Sequence, residues 1–198
     1  MLAIDFPGSR RLIDTLDCAV RKECQTTITD ALRLGLCRLM QSGEIELPEC
    51  VYQAAADHYA RRELYNSEEL GYSVMAMTWG PGQGTLIHDH CGMWCVEGVW
   101  HGQIEVSPYE LVEQKDDLFR FESRGTMIAG TGSAGSLIPP HEYHTIRNPS
   151  EEAIAVSLHI YSGPMNSCSV FRRVDDAWHA RDQKHLALDR IDGKLPGA

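Results

Sequence analysis

A long series of short β-rich runs, separated by glycines and prolines, restricts the fold of this chain more than any other feature. The series extends from Gly71 to about Phe171. The runs are residues 72–79, 85–90, 94–100, 103–109, 118–121, 127–129, 136–138, 144–147 and 153–161. Many short strands with closely spaced turn signals predict a sandwich or a barrel, and a small jelly-roll β-barrel suits the number of runs.

The residues before the barrel carry helical signals. From Arg10 to Met40 apolar residues recur every three or four positions, which is typical of amphipathic helices, and Gly43 follows as a stop signal. A further helix is predicted from Pro48 to about Asn66, since proline is tolerated in a first helical turn. The segment after Phe171 is charged and is expected to pack loosely over the barrel.

These patterns predict a single domain of the mostly β class. It has N-terminal helices in residues 1–70, a barrel in residues 71–171 and a C-terminal tail in residues 172–198. A chain of this length can bury a core of its own.

Charge and cysteine usage exclude several classes of protein. The 18 basic and 28 acidic residues give a formal charge of -10, which disfavours nucleic acid as a partner. No apolar run approaches the ~20 residues that span a bilayer, and an acid and a proline interrupt the start where a secretory signal is apolar. Seven scattered cysteines suggest reduced thiols. We therefore expect a cytoplasmic protein without a membrane or nucleic-acid partner.

Two histidines in one predicted strand have the spacing of metal ligands. Side chains alternate along a strand, so His88 and His90 point to the same side. If that side is the barrel interior, two imidazoles converge on one point. Taken alone, such a pair is equally compatible with a polar surface or a hydrogen-bonded core.

The surrounding residues resemble the two motifs of the cupin superfamily. Gly82, His88, His90, Cys95 and Gly102 have the spacing of the first motif. The second motif is represented by Pro139, His144 and Asn148. The resemblance implies a cupin jelly-roll barrel over roughly residues 71–165.

The expected metal site lacks the carboxylate that cupins usually supply. Cys95 stands at the position of that glutamate, so the resemblance leaves a three-histidine site of His88, His90 and His144. Imidazole suits iron, zinc, copper and nickel, so the ligand type does not select the metal. Three neutral ligands leave open positions, unlike a closed structural zinc site.

A narrower resemblance rests on residues 88–95, His144 and the Ser157–Leu–His159–Ile–Tyr161 stretch. Together they are similar to the cysteine dioxygenase family, cupin proteins that convert cysteine to cysteine sulfinate. The resemblance implies ferrous iron at the three histidines and Tyr161 beside the oxygen site. Ser157, His159 and Tyr161 alternate, so they share one strand face and are suited to a hydrogen-bonded relay. Alternatively, this strand face is simply polar and exposed to water.

Cys95 matches a position that forms a thioether with the active-site tyrosine in the animal members of the family. Many bacterial members have glycine there. The resemblance thus permits a crosslink between Cys95 and Tyr161.

The expected substrate-binding residues precede the barrel. The family has an arginine in a Tyr-x-Arg segment, whereas relatives that act on 3-mercaptopropionate have glutamine in its place. Alignment of Tyr59-Ala-Arg61-Arg62 assigns Arg61 to the substrate carboxylate with Tyr59 beside it. Counting back from the histidines without a gap selects Arg62 instead. At least one of the two arginines is expected on a solvated helix face.

The predicted function is therefore an Fe(II)-dependent thiol dioxygenase that oxidises L-cysteine with O₂ to cysteine sulfinate. Its partners are a small-molecule thiol and O₂, and no organic cofactor is expected. The alternatives are a 3-mercaptopropionate dioxygenase and a non-catalytic cupin that binds a metal or a small molecule. A zinc-dependent sugar-phosphate isomerase is disfavoured by the missing glutamate.

Overall fold

The computed structural model describes residues 1–191, and these are mostly β. Two helices, α1 (Ser9–Val20) and α2 (Gln25–Ser42), and a 3-10 turn at Glu49–Tyr52 come first. The strands of this part of the chain are β1 (Ala60–Ser67), β2 (Tyr72–Trp79), β3 (Ile87–His88), β4 (Cys95–His101), β5 (Gln103–Lys115), β6 (Leu118–Ser123), β7 (Met127–Gly130), β8 (Ala134–Leu137), β9 (His144–Arg147), β10 (Ala155–Tyr161), β11 (Ser167–Arg173) and β12 (His179–His185). None of the helices in residues 1–191 is long and apolar enough to cross a bilayer.

The strands form two antiparallel sheets. The order in the first sheet is β1-β2-β10-β4-β8, and the order in the second is β6-β12-β11-β3-β9-β5-β7, with β5 also paired to β6. One buried cluster joins Met75 and Val99 of the first sheet to Ile104 and Ile146 of the second. The sheets therefore face each other around a common interior. The predicted fold class, a mostly β cupin jelly-roll barrel with an N-terminal helical segment, is confirmed.

The two helices pack against the outer face of the first sheet. Leu12 of α1 and Leu36 of α2 share a buried cluster with Val74, Leu158 and Ile160. Strand β10 is consequently buried on both faces, because its even-numbered residues face the helices. Its odd-numbered residues are left for the barrel interior.

The predicted helix at residues 48–66 is wrong. The segment has only the 3-10 turn before β1, and β1 pairs with β2 through partners such as Arg61↔Met77 and Glu63↔Met75. Alternate residues Ala60 and Leu64 are buried in the sheet. Pairing with a strand that follows in the sequence outweighs the local helical pattern, because sheet formation depends on non-local packing.

The predicted loose packing of the C-terminal tail is also wrong. Strand β12 pairs along its whole length with β11, from Ser167↔His185 to Arg173↔His179. Its charged side chains are mostly exposed while its backbone completes the sheet. Charge did not oppose this pairing, since strand hydrogen bonds join backbone groups and one side of the strand stays in water.

Candidate metal centre

Three histidines from neighbouring strands converge inside the barrel. His88 ends β3, His90 follows two residues later, and His144 begins β9 directly opposite His88. One ring nitrogen from each lies within 4.8 Å of the others. The ring centroids are 4.3 Å apart for His88 and His144, 5.1 Å for His90 and His144, and 5.5 Å for His88 and His90. One ion can therefore contact all three rings.

Backbone carbonyls orient two of these rings. Nδ1 of His88 lies 3.1 Å from the Leu86 carbonyl oxygen, and Nδ1 of His144 lies 2.7 Å from that of Glu142. A carbonyl only accepts, so Nδ1 carries the hydrogen and the lone pair of Nε2 is free for a metal. Metal-bound histidines typically donate a hydrogen bond of this kind from the ring nitrogen that does not bind the metal.

Burial keeps the three imidazoles in the form that binds metals. It lowers the pKa of His88 to about 4. Burial first, and the neighbouring histidines next, hold the pKa values of His90 and His144 well below the usual range. All three rings are thus neutral near pH 7, as metal ligands must be.

The donor set fits a divalent transition metal. Three neutral imidazoles are suitable for iron, zinc or copper and leave positions for other ligands. No carboxylate belongs to this cluster in residues 1–191. Nδ1 of His90 is buried and has no hydrogen-bond partner among the same residues. Burial of a ring nitrogen without a hydrogen-bond partner costs free energy, so it is expected where the ring has a role other than packing.

The alternating residues of β10 form a second layer of the site. Ser157 Oγ lies 2.8 Å from His159 Nε2 and accepts a hydrogen bond from Trp79 Nε1 at 2.9 Å. Tyr161 Oη lies 3.4 Å from His159 Nδ1, and its ring is 5.4 Å from that of His90. The exposed fractions of Ser157, His159 and Tyr161 are 2%, 2% and 3%, so the water-facing alternative for this strand is excluded.

Burial also determines the protonation of this layer. It lowers the pKa of His159 to about 3 and raises that of Tyr161 well above its usual value. His159 is therefore neutral, and Tyr161 keeps a hydroxyl proton that it can donate.

Cys95 lies directly opposite Tyr161 in the pairing of β4 with β10. Its side chain is fully buried, and Sγ is 3.9 Å from His159 Nδ1. Burial raises the pKa of this thiol, and the charge of Glu97 acts in the same direction. The two residues thus share one side of neighbouring strands, as a crosslink requires.

Arg61 is buried at the edge of the first sheet with its guanidinium beside the metal site. Nη1 donates to the Ala187 carbonyl at 3.2 Å and Nη2 to the Met165 carbonyl at 2.9 Å. Nε is buried and unpaired within residues 1–191. The Arg61 backbone exchanges hydrogen bonds with Asp189 at 2.7 and 2.8 Å. The C-terminal segment therefore holds this arginine in place.

A cavity of about 20 Å³ separates these groups. Tyr59 stacks on Trp79 at one wall, with ring centroids 4.5 Å apart. The lining residues are Tyr59, Arg61, Met77, Trp79, Thr85, His88, Ile146, His159, Tyr161, Met165, Cys168 and Leu186. Five of the sequence-predicted site residues thus meet around one small space, namely Tyr59, Arg61, His88, His159 and Tyr161.

Arg62 points to the other face of β1. It donates to Thr78 Oγ1 at 3.0 Å, to the Gln53 carbonyl at 2.9 Å and to the Arg190 carbonyl at 3.4 Å. Its exposed fraction is 6% and that of Arg61 is 3%. The expectation of an arginine on a solvated helix face is therefore wrong, because both lie on a covered strand.

Sequence reasoning missed three residues of this site. Trp79 ends β2 and supports Ser157, and Asp189 holds the backbone of Arg61. Glu97 lies opposite His159 in the pairing of β4 with β10. Strand alternation from Cys95 is a signal for Glu97, since residues two apart share a side. No local signal identifies Asp189.

The chain is similar to known proteins of one family. A family model described as cysteine dioxygenase type I matches residues 26–174. Cysteine dioxygenase type 1 of Danio rerio is 26% identical over 160 residues, which cover 80% of this chain and 79% of that protein. The Homo sapiens protein of the same name is 25% identical over 134 residues, which cover 67% of this chain and 66% of that protein.

Solved structures also resemble the chain. A protein from Thermus thermophilus has a TM-score of 0.44 at 18% identity, and the match covers 57% of this chain and 90% of that protein. A cupin superfamily protein from Desulfitobacterium hafniense has a TM-score of 0.40 at 13% identity, and the match covers 58% of this chain and 86% of that protein.

Proposed function

Because the chain belongs to the cysteine dioxygenase type I family, we propose that it is an iron(II)-dependent thiol dioxygenase that converts L-cysteine and O₂ to cysteine sulfinate. The observation that carries this proposal is the common cavity of a metal-ligand histidine, an arginine and a tyrosine, namely His88, Arg61 and Tyr161. Its partners are then a small thiol and O₂, and its location is the cytoplasm.

In this proposal His88, His90 and His144 hold the iron. Ferrous iron at such a site supplies a Lewis acid for the thiolate and a redox partner for O₂. The three neutral rings contribute no negative charge, so the positive charge of the site is available to an anionic sulfur. His90 and His144 are each 1% exposed, so little water reaches their side of the site.

Arg61 is proposed to bind the substrate carboxylate. Its guanidinium is held by two neutral carbonyl oxygens, so its charge is not offset by an acidic side chain. The buried, unpaired Nε leaves a donor for a carboxylate oxygen. A charge-assisted bond of this kind is worth about 1.5–3 kcal/mol. Tyr59, beside it in the cavity, completes the wall at this end.

Arg62 is assigned a structural role. Its donors are already engaged by Thr78, Gln53 and Arg190 on the far face of β1. Its side chain therefore lies away from the cavity that Arg61 lines.

Tyr161 is proposed to donate a hydrogen bond to the reacting oxygen. His159 and Ser157 orient its hydroxyl from behind, and Trp79 fixes Ser157. A thioether between Cys95 and Tyr161 would restrain the same ring, since the two lie opposite each other on β4 and β10. Preorganised donors of this kind stabilise charge that develops in a transition state.

An oxygen-electrode assay tests the proposal. Iron-loaded protein is given L-cysteine, cysteamine or 3-mercaptopropionate, and the product is identified by mass spectrometry. We expect O₂ consumption with L-cysteine as the best substrate and cysteine sulfinate as the product. The variant His88→Ala should remain folded, lose its iron and consume no O₂.

Two results would contradict it. A protein that retains iron and consumes no O₂ with any of the thiols is a non-catalytic cupin. A higher kcat/KM for 3-mercaptopropionate than for L-cysteine would show that the substrate is assigned wrongly.

A further inference from the structure

A second cavity lies inside the barrel, beyond the relay of β10. Its volume is about 370 Å³, much larger than the cavity at the histidines. Val99, Ile104, Val106 and Ala129 give it a mainly apolar lining. Ser157 lines this cavity, whereas His159, the next residue of the relay, lines the smaller one. Ser157 and His159 of the Ser157–His159–Tyr161 relay therefore lie between the two cavities.

Glu97 is the carboxyl group in the lining of the larger cavity. It is directly opposite His159 in the pairing of β4 with β10, and its Oε2 lies 3.4 Å from His159 Nδ1. The angle between these two groups does not suit a hydrogen bond, so Oε2 is buried without a hydrogen-bond partner in residues 1–191. The exposed fraction of this side chain is 12%. A buried carboxyl oxygen that lacks a hydrogen-bond partner is uncommon in folded proteins and requires an explanation.

The ionisable groups that face Glu97 come from two strands. They are Cys95 on its own strand and His159 and Tyr161 on β10. The lining residues from β5, β7 and β8 are uncharged, so no arginine or lysine of the cavity compensates the carboxylate. Burial raises the pKa of Glu97 to about 7. A carboxyl group of this kind can take up and release a proton near neutral pH.

The proposed reaction releases one proton. A thiol and O₂ give a sulfinate ion and a proton (RSH + O₂ → RSO₂⁻ + H⁺), since sulfinic acids are ionised at neutral pH. The S–H bond breaks as the thiolate forms, and the proton has to leave a cavity of about 20 Å³. Three histidines of the site are assigned to the metal through one nitrogen each, so they are poor proton carriers. Nδ1 of His159 lies 3.4 Å from both Tyr161 Oη and Glu97 Oε2. This nitrogen therefore connects the smaller cavity, which Tyr161 lines, to the larger cavity, which Glu97 lines.

We propose that Glu97 is a positioning residue that acts through His159, accepts the proton released by the substrate thiol and passes it to the larger cavity. The inference rests on the proposed thiol dioxygenase function. His159 donates from Nε2 to Ser157 Oγ, so its Nδ1 lone pair accepts the hydroxyl proton of Tyr161 while the Tyr161 oxygen takes up the thiol proton. The hydroxyl that is re-formed in this way can then donate to the reacting oxygen. The Nδ1–H bond of His159 then breaks as an O–H bond forms at Glu97 Oε2, and water in the larger cavity takes the proton from Glu97. No oxidant or reductant is needed for this transfer.

Paired substitutions test the role of Glu97. Glu97→Gln keeps the shape of the side chain but cannot accept the proton, and Glu97→Asp keeps a carboxylate. Glu105→Gln is the matched control, because Glu105 is a barrel glutamate that pairs with Arg147 away from the relay. We expect Glu97→Gln to lower kcat with L-cysteine about 10²-fold, within the range for general acid–base groups. KM should change little, and Glu97→Asp should restore part of kcat.

The pH profile distinguishes proton transfer from a packing defect. Since Glu97 must be ionised to accept a proton, wild-type kcat should rise with pH through about 7, and this limb should be absent in Glu97→Gln. The Glu105→Gln protein should keep the wild-type profile. Unchanged kcat and an unchanged profile in Glu97→Gln would overturn the proposal. An equal loss in Glu105→Gln would overturn it too.

Infrared spectroscopy gives a readout without turnover. The C=O stretch of a protonated buried carboxyl group should be present in wild-type protein at acidic pH, fade as the pH rises through neutrality and be absent in Glu97→Gln throughout. A Glu97 that is ionised across this whole range would overturn the proposal. Failure of the proposed function is a different result, namely wild-type protein that consumes no O₂ with any thiol.

Discussion

Adjacent residues Arg61 and Arg62 lie on opposite faces of β1, and only one of them reaches the metal site. The carbonyls of Met165 and Ala187 hold Arg61, whereas Thr78 and Gln53 hold Arg62. In a strand, a shift of one position moves a side chain to the other face. The sequence alone could not distinguish the two arginines, because a helix was predicted for this segment.

We therefore predict that Arg61→Ala damages activity on L-cysteine far more than activity on cysteamine, which has no carboxylate. Loss of a charge-assisted bond of about 3 kcal/mol corresponds to a kcat/KM about 10²-fold lower for L-cysteine. Steady-state kinetics on both thiols measures the ratio.

Arg62→Ala is the matched control for this prediction. It removes bonds that stabilise the edge of the sheet, so its melting temperature should fall while the ratio of the two activities stays at the wild-type value. A ratio that changes in Arg62→Ala and not in Arg61→Ala would assign the carboxylate to Arg62.

The histidines illustrate what the sequence can predict at this scale. His88 and His90 were placed on one side by the alternation of a strand, which is a local property. The three-histidine site agrees with the convergence of their ring nitrogens with one of His144. Asp189 could not be found in this way, since its contact with Arg61 joins residues 128 positions apart.

At the scale of elements, the pair of His58 and Asp189 is one of the contacts that link the C-terminal segment to β1 and to the loop before it. His58 Nε2 lies 2.9 Å from Asp189 Oδ1, and its Nδ1 lies 2.7 Å from Asp57. Hydrogen bonds to Asp189 and then to Asp57 raise the pKa of His58 above 6.5. The pair joins the loop before β1 to the segment that holds Arg61.

We predict that this pair makes stability depend on pH in a defined direction. The folded state raises the pKa of His58, so its contribution is complete below pH 6.5 and is lost as the pH rises through the raised value. Urea unfolding of wild-type protein should show this loss. Asp189→Asn should reduce the pH dependence more than Asp57→Asn, since Asp189 is the larger cause.

The opposite ranking of the two variants would contradict the assignment. Equal pH dependence in wild-type protein and in both variants would show that the pair contributes nothing. His58→Ala is the reference, because it removes the titrating group itself.

The elements that sequence reasoning missed share one property. Strands β1 and β12 lack a clean alternation of apolar and polar residues, and each depends on a partner strand for its structure. The boundaries of β2 and β9, by contrast, coincide with the predicted runs 72–79 and 144–147. Those runs are apolar or alternating within themselves, so the local pattern was sufficient.

At the scale of the whole molecule, the helices and the metal site occupy separate layers. The α1 and α2 side chains pack on the outer face of the first sheet, and the histidines lie within the barrel. Leu36 of α2 approaches the sheet where Gly98 leaves space, since a Cβ there would lie 3.3 Å from Leu36 Cδ1. Stability and chemistry should therefore be separable by mutation.

We predict that Leu36→Ala lowers the free energy of unfolding by about 2–5 kcal/mol, as expected for a fully buried leucine. The iron content and kcat of the folded protein should remain at the wild-type level. Urea unfolding, metal analysis and the oxygen assay measure these quantities.

Leu34→Ala is the control on the same helix. Leu34 is 48% exposed, so its loss should change the free energy of unfolding by no more than about 0.5 kcal/mol. Similar losses in both variants, or a lower kcat in folded Leu36→Ala protein, would contradict the separation of the layers.

The single-domain organisation stays a prediction.

The C-terminal segment that holds Arg61 has a consequence for how such proteins can diverge. The family match ends at residue 174, yet Leu186 lines the cavity and Ala187 and Asp189 bind Arg61. Part of the proposed substrate pocket therefore lies outside residues 26–174, which the family model matches. In the proposed enzyme, exchange of the short stretch from Leu186 to Asp189 is therefore expected to alter the preference for a thiol while His88, His90 and His144 stay unchanged.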